Sequence, residues 1–218
     1  MIKAIFFDVD DTLLNFNASA NYAYKKMLEE HHIPYDPNVE AYYHEVNKQL
    51  WQILDHGKIT RDELLVKRFK IVFKEYDAQK LNQSFLTYLS DSAYVNPNTI
   101  ETLSTLYKKY PLYAASNSQY DLQLKRLKLA NISKYFTDIY CSSSIGFTKP
   151  DIRFYQKCIE KTNIDPSEIL MVGDNIITDI EGAKKAGLQT CLYDPNKLDH
   201  DLTYCDHVIY DLIELIKY

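Results

Sequence analysis

Short, almost wholly apolar runs recur along the chain. The first, residues 2–7, leads directly into Asp8, and later runs lead into Ser116 and Gly173. Runs of this length, rich in β-branched and aromatic residues, are typical of strands that are buried on both faces. They predict strands at 2–7, 112–115, 138–140, 169–172, 190–193 and 207–210.

Helical patterns separate these strands from residue 99 onward. Strands that alternate with helices run parallel and are joined by right-handed crossovers. The expected fold class is therefore α/β, with a doubly wound parallel sheet of the Rossmann-like kind. The helices are predicted at about 99–109, 119–130, 151–162, 178–186 and 211–217.

Residues 15–90 break this rhythm, because their pattern is helical only. Asn17 is a candidate N-cap for a first helix, and Pro37 opens a second. Thr60 begins a capping-box pattern before a third helix, and a fourth is predicted at about 79–90. The second helix is expected to place on one face Val39, Tyr42, Val46, Leu50 and Ile53.

This helical block is interpreted as an insertion after the first strand. The predicted domains are an α/β core of residues 1–14 and 93–218 and an all-α domain of residues 15–92. Basic and acidic residues balance between residues 15 and 90, so the net charge of −5 lies in the α/β part. The histidines of the insertion are expected to face solvent: His31, His32, His44 and His56.

The composition of the chain argues against several classes of function. The chain has 218 residues, of which 46% are hydrophobic and 25% charged, as in ordinary globular proteins. Its net negative charge argues against binding a nucleic acid polymer. No apolar run approaches the ~18 residues of a membrane span, and the N-terminus does not resemble a signal peptide, so we expect a cytoplasmic protein without a membrane partner. The four cysteines form no C-x-x-C pair, which argues against zinc and disulfide sites.

Acidic residues follow two of the predicted strands. In an open α/β sheet, ligands bind at the carboxyl ends of the strands. Asp8 and Asp10 follow the first strand, and two such carboxylates suit a nucleophile and an acid/base; the alternative is a polar turn that ends the strand. Asp174 and Asp179 follow the strand at 169–172 and suit Mg²⁺, although Asp179 could simply favour the first turn of the next helix.

Two further polar groups follow the same pattern. Lys149 precedes Pro150, which disfavours helical geometry at the lysine, so its ammonium can extend from a loop toward the carboxylates; the alternative is a solvated surface lysine. Ser116 and Asn117 follow the strand at 112–115, where a hydroxyl and backbone N–H groups can bind an anion. Their alternative is a helix N-cap.

Together these clusters resemble the four motifs of the haloacid dehalogenase superfamily of hydrolases, in order and spacing, from residue 2 to about 193. The motifs are Asp8-Val9-Asp10-Asp11-Thr12, Ser116-Asn117, Lys149-Pro150 and Gly173-Asp174 with Asp179. The inserted helices resemble that superfamily's cap domain of the first type. The run from Asp8 to Phe16 also resembles the pyrimidine 5'-nucleotidase branch.

The resemblance implies a role for each motif in phosphate-ester hydrolysis. Asp8 would attack phosphorus and form an aspartyl-phosphate. Asp10 would protonate the leaving oxygen and later activate water, while its backbone carbonyl would bind Mg²⁺. Ser116 and Asn117 would hold the transferring phosphoryl group.

The remaining motif residues would bind the metal or compensate the negative charge of the phosphoryl group. Lys149 would neutralise the phosphoryl group and orient Asp8. Asp174 would bind Mg²⁺, and Asp179 would support the metal directly or through water and Lys149. The implied metal ligands are thus Asp8, Asp10, Asp174 and Asp179.

The expected function is Mg²⁺-dependent hydrolysis of small-molecule phosphate monoesters by a monomer or homodimer. Dehalogenases of the superfamily lack the second acid of the first motif and its mutases usually lack the threonine, so Asp10 and Thr12 favour a phosphatase. The branch resemblance favours nucleoside 5'-monophosphates. A sugar-phosphate or phosphoglycolate phosphatase stays open, and so does a catalytically silent binding protein, which the intact acids and lysine argue against.

Overall fold

The computed structural model describes residues 1–55 and 57–217, and the chain divides into two compact units. The sheet unit comprises Met1–Phe16 and Ala93–Tyr218, and the helical unit comprises Asn17–Ser92. That the first is a catalytic core and the second a cap stays a prediction at this point. No helix in the described part of the chain is both long and apolar enough to cross a membrane.

The helical unit contains most of α1 and the whole of the next three helices. The helix bounds are α1 Phe16–Glu30, α2 Pro37–Asp55, α3 Arg61–Val72 and α4 Ala78–Ser90. The predicted capping box of α3 is confirmed, because the Thr60 hydroxyl accepts from the Glu63 N–H and the Glu63 carboxylate accepts from the Thr60 N–H. The predicted cap at Asn17 is wrong, since α1 begins at Phe16, whose N–H donates to Oδ1 of Asp11 at 2.9 Å.

The buried face of α2 differs by a fraction of a turn from the predicted one. Tyr42 is 52% exposed, whereas the neighbouring Tyr43 is only 2% exposed. Val46 and Leu50 lie in the core as predicted, and Leu54 joins them. The sequence pattern offered two adjacent tyrosines, and the buried one is the tyrosine that stacks on Phe69 of α3, with ring centroids 5.5 Å apart.

The described histidines of the helical unit differ in exposure. His32 and His44 are exposed, as predicted. His31 is half-buried, and its Nε2 lies 2.9 Å from the Ser84 hydroxyl, so it departs from the prediction. His56 lies outside the described residues.

The sheet unit is built on six parallel strands in the order β3-β2-β1-β4-β5-β6. This is a doubly wound α/β sheet, and the predicted fold class is confirmed. The order changes direction between β1 and β4, and ligands bind at such a switch point. The strand bounds are β1 Ala4–Phe7, β2 Leu112–Ser116, β3 Asp138–Cys141, β4 Ile169–Gly173, β5 Gln189–Tyr193 and β6 His207–Ile209.

Both faces of the sheet are covered, as continuous apolar strands require. Side chains alternate between the faces, so Ile5 and Phe7 of β1 pack in one core cluster and Phe6 in the other. The α-helices of this unit are α5 Thr99–Leu106, α6 Tyr120–Leu129, α7 Ser142–Ile145, α8 Ile152–Thr162 and α9 Gly182–Lys185.

Two predicted helices take other forms. Residues 178–186 were expected to form one helix, but a π-helical turn at Ile176–Glu181 precedes the short α9. Wide turns of this type are frequent at functional sites. The C-terminal helix is a 3₁₀ segment, Leu212–Lys217, that packs on α5.

An arginine lies in the core of the helical unit. Arg68 is 1% exposed and donates hydrogen bonds to the Leu65 carbonyl, Asn47 Oδ1 and Asn82 Oδ1 at 3.1–3.4 Å. Its guanidinium also lies 4.5 Å from the ring centroid of Phe85. None of these partners is a carboxylate, and burial lowers the pKa of Arg68. The aliphatic stem and the flat guanidinium therefore stabilise the unit largely by filling space between aromatic rings.

Arg68→Met is expected to leave the free energy of unfolding within about 1 kcal/mol of the wild type, because methionine replaces the buried volume without a charge to desolvate. Arg68→Ala should lose about 2–4 kcal/mol, since it leaves a cavity. Urea unfolding measures both values, with the exposed Lys70→Ala as the control. Equal losses for methionine and alanine would mean that the hydrogen bonds, not the volume, hold this core.

Candidate active site

The end of β1 brings Asp8 between two other strand ends. Phe7 pairs in register with Ala114 of β2 and with Val172 of β4. The N–H of Asp8 continues the ladder by donating to the Val172 carbonyl at 2.8 Å. Because parallel strands end on the same edge, the loops after all three strands meet at Asp8.

Lys149 lies at the centre of this edge and is 3% exposed. Its Nζ lies 2.6 Å from Oδ1 of Asp8, 2.7 Å from Oδ1 of Asp179 and 2.8 Å from the carbonyl oxygen of Ala115. An ammonium has three hydrogens to donate, so these bonds use them all. Burial alone would lower the pKa of Lys149, but the carboxylates of Asp179 and Asp8 outweigh burial and raise it. The lysine is a fixed internal cation, not a solvated surface group.

Asn117 holds the loop that carries Lys149. Its Nδ2 donates to the Lys149 carbonyl at 2.8 Å, and its Oδ1 accepts from the Lys149 N–H at 2.7 Å. The side-chain amide therefore pairs with a backbone residue in the way that a neighbouring strand would. Direct contact of Asn117 with a phosphoryl group stays a prediction.

Three carboxylates cluster at this edge: Asp8, Asp174 and Asp179 each offer an oxygen, and these oxygens lie within 4.8 Å of one another. Burial, together with Asp179 and Asp11, raises the pKa of Asp174 to about 7, although a hydrogen bond from the Thr12 hydroxyl opposes the rise. Burial raises the pKa of Asp8 well above its ordinary value, against the Lys149 ammonium and together with the other two acids.

The donor set fits a magnesium ion. Carboxylate oxygens are the hard ligands that Mg²⁺ takes, with water in the remaining positions. Burial is the largest cause of the raised pKa of Asp8 and of Asp174, and repulsion from neighbouring acids adds to it; a divalent cation among the carboxylates would oppose both effects. Asp179 is 1% exposed, and its oxygens accept from Lys149, the Thr178 hydroxyl and the Asn175 N–H.

The carboxyl of Asp10 is not part of this group. Its oxygens accept hydrogen bonds from Arg126 and Gln123 of α6, and the side chain is 27% exposed. Gln123 also donates to the Ser116 hydroxyl, at 3.0 Å. Metal binding by the Asp10 backbone carbonyl stays a prediction. Gln123 and Arg126 were not predicted from the sequence, although both fall on the buried stripe that Leu122 and Leu127 mark along α6.

One further residue, Asn96, was missed by sequence reasoning, and the motif residue Gly173 has a steric role that the sequence did not show. The side chain of Asn96 donates to the carbonyls of Asp11 and Thr12 at 3.1 and 3.0 Å, and so fixes the loop after β1. At Gly173, a Cβ would lie 2.3 Å from Oδ2 of Asp179, so only glycine lets that carboxyl fold back over the end of β4.

A family model describes residues 2–187 of this chain as a haloacid dehalogenase-like hydrolase. The chain belongs to the haloacid dehalogenase-like (HAD) hydrolases. The family predicted from the motifs is confirmed. Taken with the three clustered carboxylates, the match makes the chain a phosphatase of this family, a phosphoric monoester hydrolase.

The relatives of this HAD phosphatase match it along most of their own length. The HAD-hydrolase YfnB of Bacillus subtilis is 32% identical over 199 residues, which are 89% of this chain and 85% of YfnB. The crystal structure of YfnB, bound to magnesium and described as revealing interdomain movement, has a TM-score of 0.94 at 30% identity and covers 99% of this chain and 97% of that one.

Two relatives with named substrates are about equally similar. The pyrimidine 5'-nucleotidase PynA of Streptococcus pneumoniae is 31% identical over 204 residues, covering 91% of this chain and 86% of PynA. A glyceraldehyde 3-phosphate phosphatase of Methanothermobacter thermautotrophicus is 30% identical over 196 residues, covering 88% and 85%.

Gly173→Ala is expected to lower the free energy of unfolding by about 1–3 kcal/mol, because the added methyl would overlap the Asp179 side chain. Urea unfolding of Gly173→Ala, Asp179→Gly and the double variant measures the coupling. Since Asp179→Gly removes the overlapped side chain, we expect a coupling free energy of at least ~1 kcal/mol. Additive losses would show that the methyl meets something other than Asp179.

Proposed function

We propose that this HAD phosphatase is Mg²⁺-dependent and hydrolyses small-molecule phosphate monoesters through an aspartyl-phosphate on Asp8. The observation that carries the proposal is the buried ammonium of Lys149, which bonds both Asp8 and Asp179, two acids with an oxygen within 4.8 Å of an oxygen of Asp174. A carboxylate that attacks a phosphate dianion is opposed by charge repulsion, and positive charge fixed beside it removes that barrier.

In the first step, an oxygen of Asp8 attacks phosphorus, and the bond from phosphorus to the ester oxygen breaks. Lys149 holds the Asp8 carboxylate in place by donating to its Oδ1. Asp10 gives its proton to the departing oxygen, so the product leaves as an alcohol. The partial exposure of Asp10 and the small exposed fraction of Asp8 suit groups that must reach substrate.

In the second step, Asp10 takes a proton from water as that water attacks phosphorus. The bond between phosphorus and Asp8 breaks, Asp8 returns as a carboxylate, and inorganic phosphate leaves. Asp10 thereby regains the proton that it gave in the first step, so the cycle is balanced.

The remaining residues bind and compensate charge. Asp8, Asp174 and the Asp10 backbone carbonyl would hold Mg²⁺, with Asp179 acting on them through Lys149. When bound, the ion would neutralise phosphoryl oxygens and lower the barrier to attack. The Ser116 hydroxyl and the N–H groups after β2 would hold the phosphoryl group, and Lys149 would add its charge. The crystal structure of YfnB, which is bound to magnesium, supports the choice of metal.

Asp8→Asn is expected to lower kcat for p-nitrophenyl phosphate by at least about 10³-fold, because the amide cannot act as the nucleophile. The matched control is Asp165→Asn, an exposed N-cap where asparagine serves equally well. EDTA should abolish wild-type turnover, and added Mg²⁺ should restore it. Turnover that survives EDTA, or an Asp8→Asn enzyme as active as the control, contradicts the mechanism.

We further propose nucleoside 5'-monophosphates as the substrate class, supported by PynA and by the sequence from Asp8 to Phe16. The second candidate is a sugar phosphate, supported by the relative that is a glyceraldehyde 3-phosphate phosphatase. The two proposals share every step above and differ only in the leaving alcohol.

We expect kcat/KM for uridine 5'-monophosphate to exceed that for glyceraldehyde 3-phosphate by at least ~100-fold, a difference of about 3 kcal/mol at the transition state. Initial rates of phosphate release with both esters and with phosphoglycolate measure this ratio. The reverse preference assigns the sugar-phosphate class. Absence of turnover with every ester would favour the silent binding protein.

A further inference from the structure

Two buried polar residues of α6 hold both oxygens of the Asp10 carboxyl. Nη1 of Arg126 lies 2.5 Å from Oδ1 of Asp10, and Nε2 of Gln123 lies 3.0 Å from Oδ2. Gln123 and Arg126 are one helical turn apart and both are 0% exposed. Both side chains are fully buried, and the site residues that they bond are Asp10 and Ser116.

The two α6 residues also bond to each other, so each fixes the other's orientation. Nη1 of Arg126 donates to Oε1 of Gln123 at 3.0 Å. Arginine can only donate, so the oxygen of the Gln123 amide must face it, and its NH₂ group must face Asp10 and Ser116. Both hydrogens of that NH₂ group are then used, one on Asp10 and one on the Ser116 hydroxyl.

We infer that Gln123 and Arg126 are positioning residues for proton transfer by Asp10. They hold the Asp10 carboxyl at a fixed angle, and through Gln123 they tie it to Ser116, which would hold the phosphoryl group. The inference rests on the proposed function, because it assigns the support of a group whose role that function supplies. When the proton of Asp10 passes to the departing ester oxygen, the carboxylate left behind is held at each oxygen by one donor.

If Gln123 and Arg126 only filled space in the fold, their substitution would affect the reaction differently. A residue that merely supports the fold affects every substrate alike, whereas a residue that acts through the general acid matters most when the leaving oxygen needs a proton. Phenolate is a poorer leaving group than p-nitrophenolate, which departs without protonation. The two aryl phosphates are otherwise alike, and kcat/KM reports the first step, in which the acid acts.

The experiment compares kcat/KM for phenyl phosphate and p-nitrophenyl phosphate, with Mg²⁺ present. Arg126→Met is expected to lower kcat/KM for phenyl phosphate by at least ~10-fold and that for p-nitrophenyl phosphate by less than ~3-fold. Asp10→Ala should show the same split, and Arg126→Met added to Asp10→Ala should change nothing further. Gln123→Met keeps the cation and gives a second, independent test if Arg126→Met does not fold.

Leu127→Ala is the matched control, because Leu127 is a buried residue of the same helix that packs into the sheet core. It should destabilise the protein in a thermal melt and leave the ratio between the two esters unchanged. Arg126→Lys should restore part of the phenyl phosphate rate, since it returns a cation to the same place.

The outcomes separate the two proposals. If Asp10→Ala shows the split and both α6 variants lower the two rates equally, as Leu127→Ala does, the positioning role is wrong while the proposed function stands. If Asp10→Ala shows no split, the general acid assigned to Asp10 is wrong and the positioning role falls with it.

Discussion

Everything at the edge of this sheet depends on placing a cation inside a group of acids. In the part of the chain that the structure describes, Lys149 is the cation bonded to the cluster of Asp8, Asp174 and Asp179, so with all three acids ionised this group carries two excess negative charges. Removing charges from water is costly unless they are paired and hydrogen-bonded. The lysine therefore determines where the acids can lie, and the deficit that it leaves equals the charge of a magnesium ion.

The surrounding backbone serves this arrangement. Gly173 lets the Asp179 carboxyl fold over the end of β4, and a Cβ at Gly182 would lie 2.9 Å from Cα of Pro150, so α9 can approach the lysine loop closely. The π-helical turn at Ile176–Glu181 carries the buried Asp179. A second, separate ion pair, Arg126 with Asp10, comes from α6. The three clustered acids and Asp10 are thus held by different elements of the fold.

The sequence predicted the sheet and the acids for one physical reason. Central parallel strands are buried on both faces, so 2–7, 112–115 and 169–172 stand out as continuous apolar runs, and a polar residue directly after each must lie at the sheet edge. The two partners of Asp10 are harder to predict from the sequence. Gln123 and Arg126 lie mid-helix, where polar residues are common, and only their coincidence with the stripe of Leu122 and Leu127 could have shown that they are buried.

Local sequence patterns were less informative where two nearby residues could fill the same structural position. Asn17 can cap a helix, but the Asp11 carboxyl accepts from the Phe16 N–H, and α1 begins two residues earlier than a cap at Asn17 would allow. Tyr42 and Tyr43 fit the apolar face of α2 about equally well, and the packing of Phe69 decided between them. Such choices depend on contacts that are distant in sequence, which a local pattern does not contain.

The pairing of Asn117 with the backbone of Lys149 also bears on how the enzyme would age. Spontaneous deamidation would turn the amide into a carboxylate, which has no hydrogen to offer the Lys149 carbonyl. An acceptor would then face an acceptor, and a further negative charge would enter a region already short of positive charge. One slow chemical lesion could therefore loosen the lysine loop and silence the enzyme while the sheet stays folded.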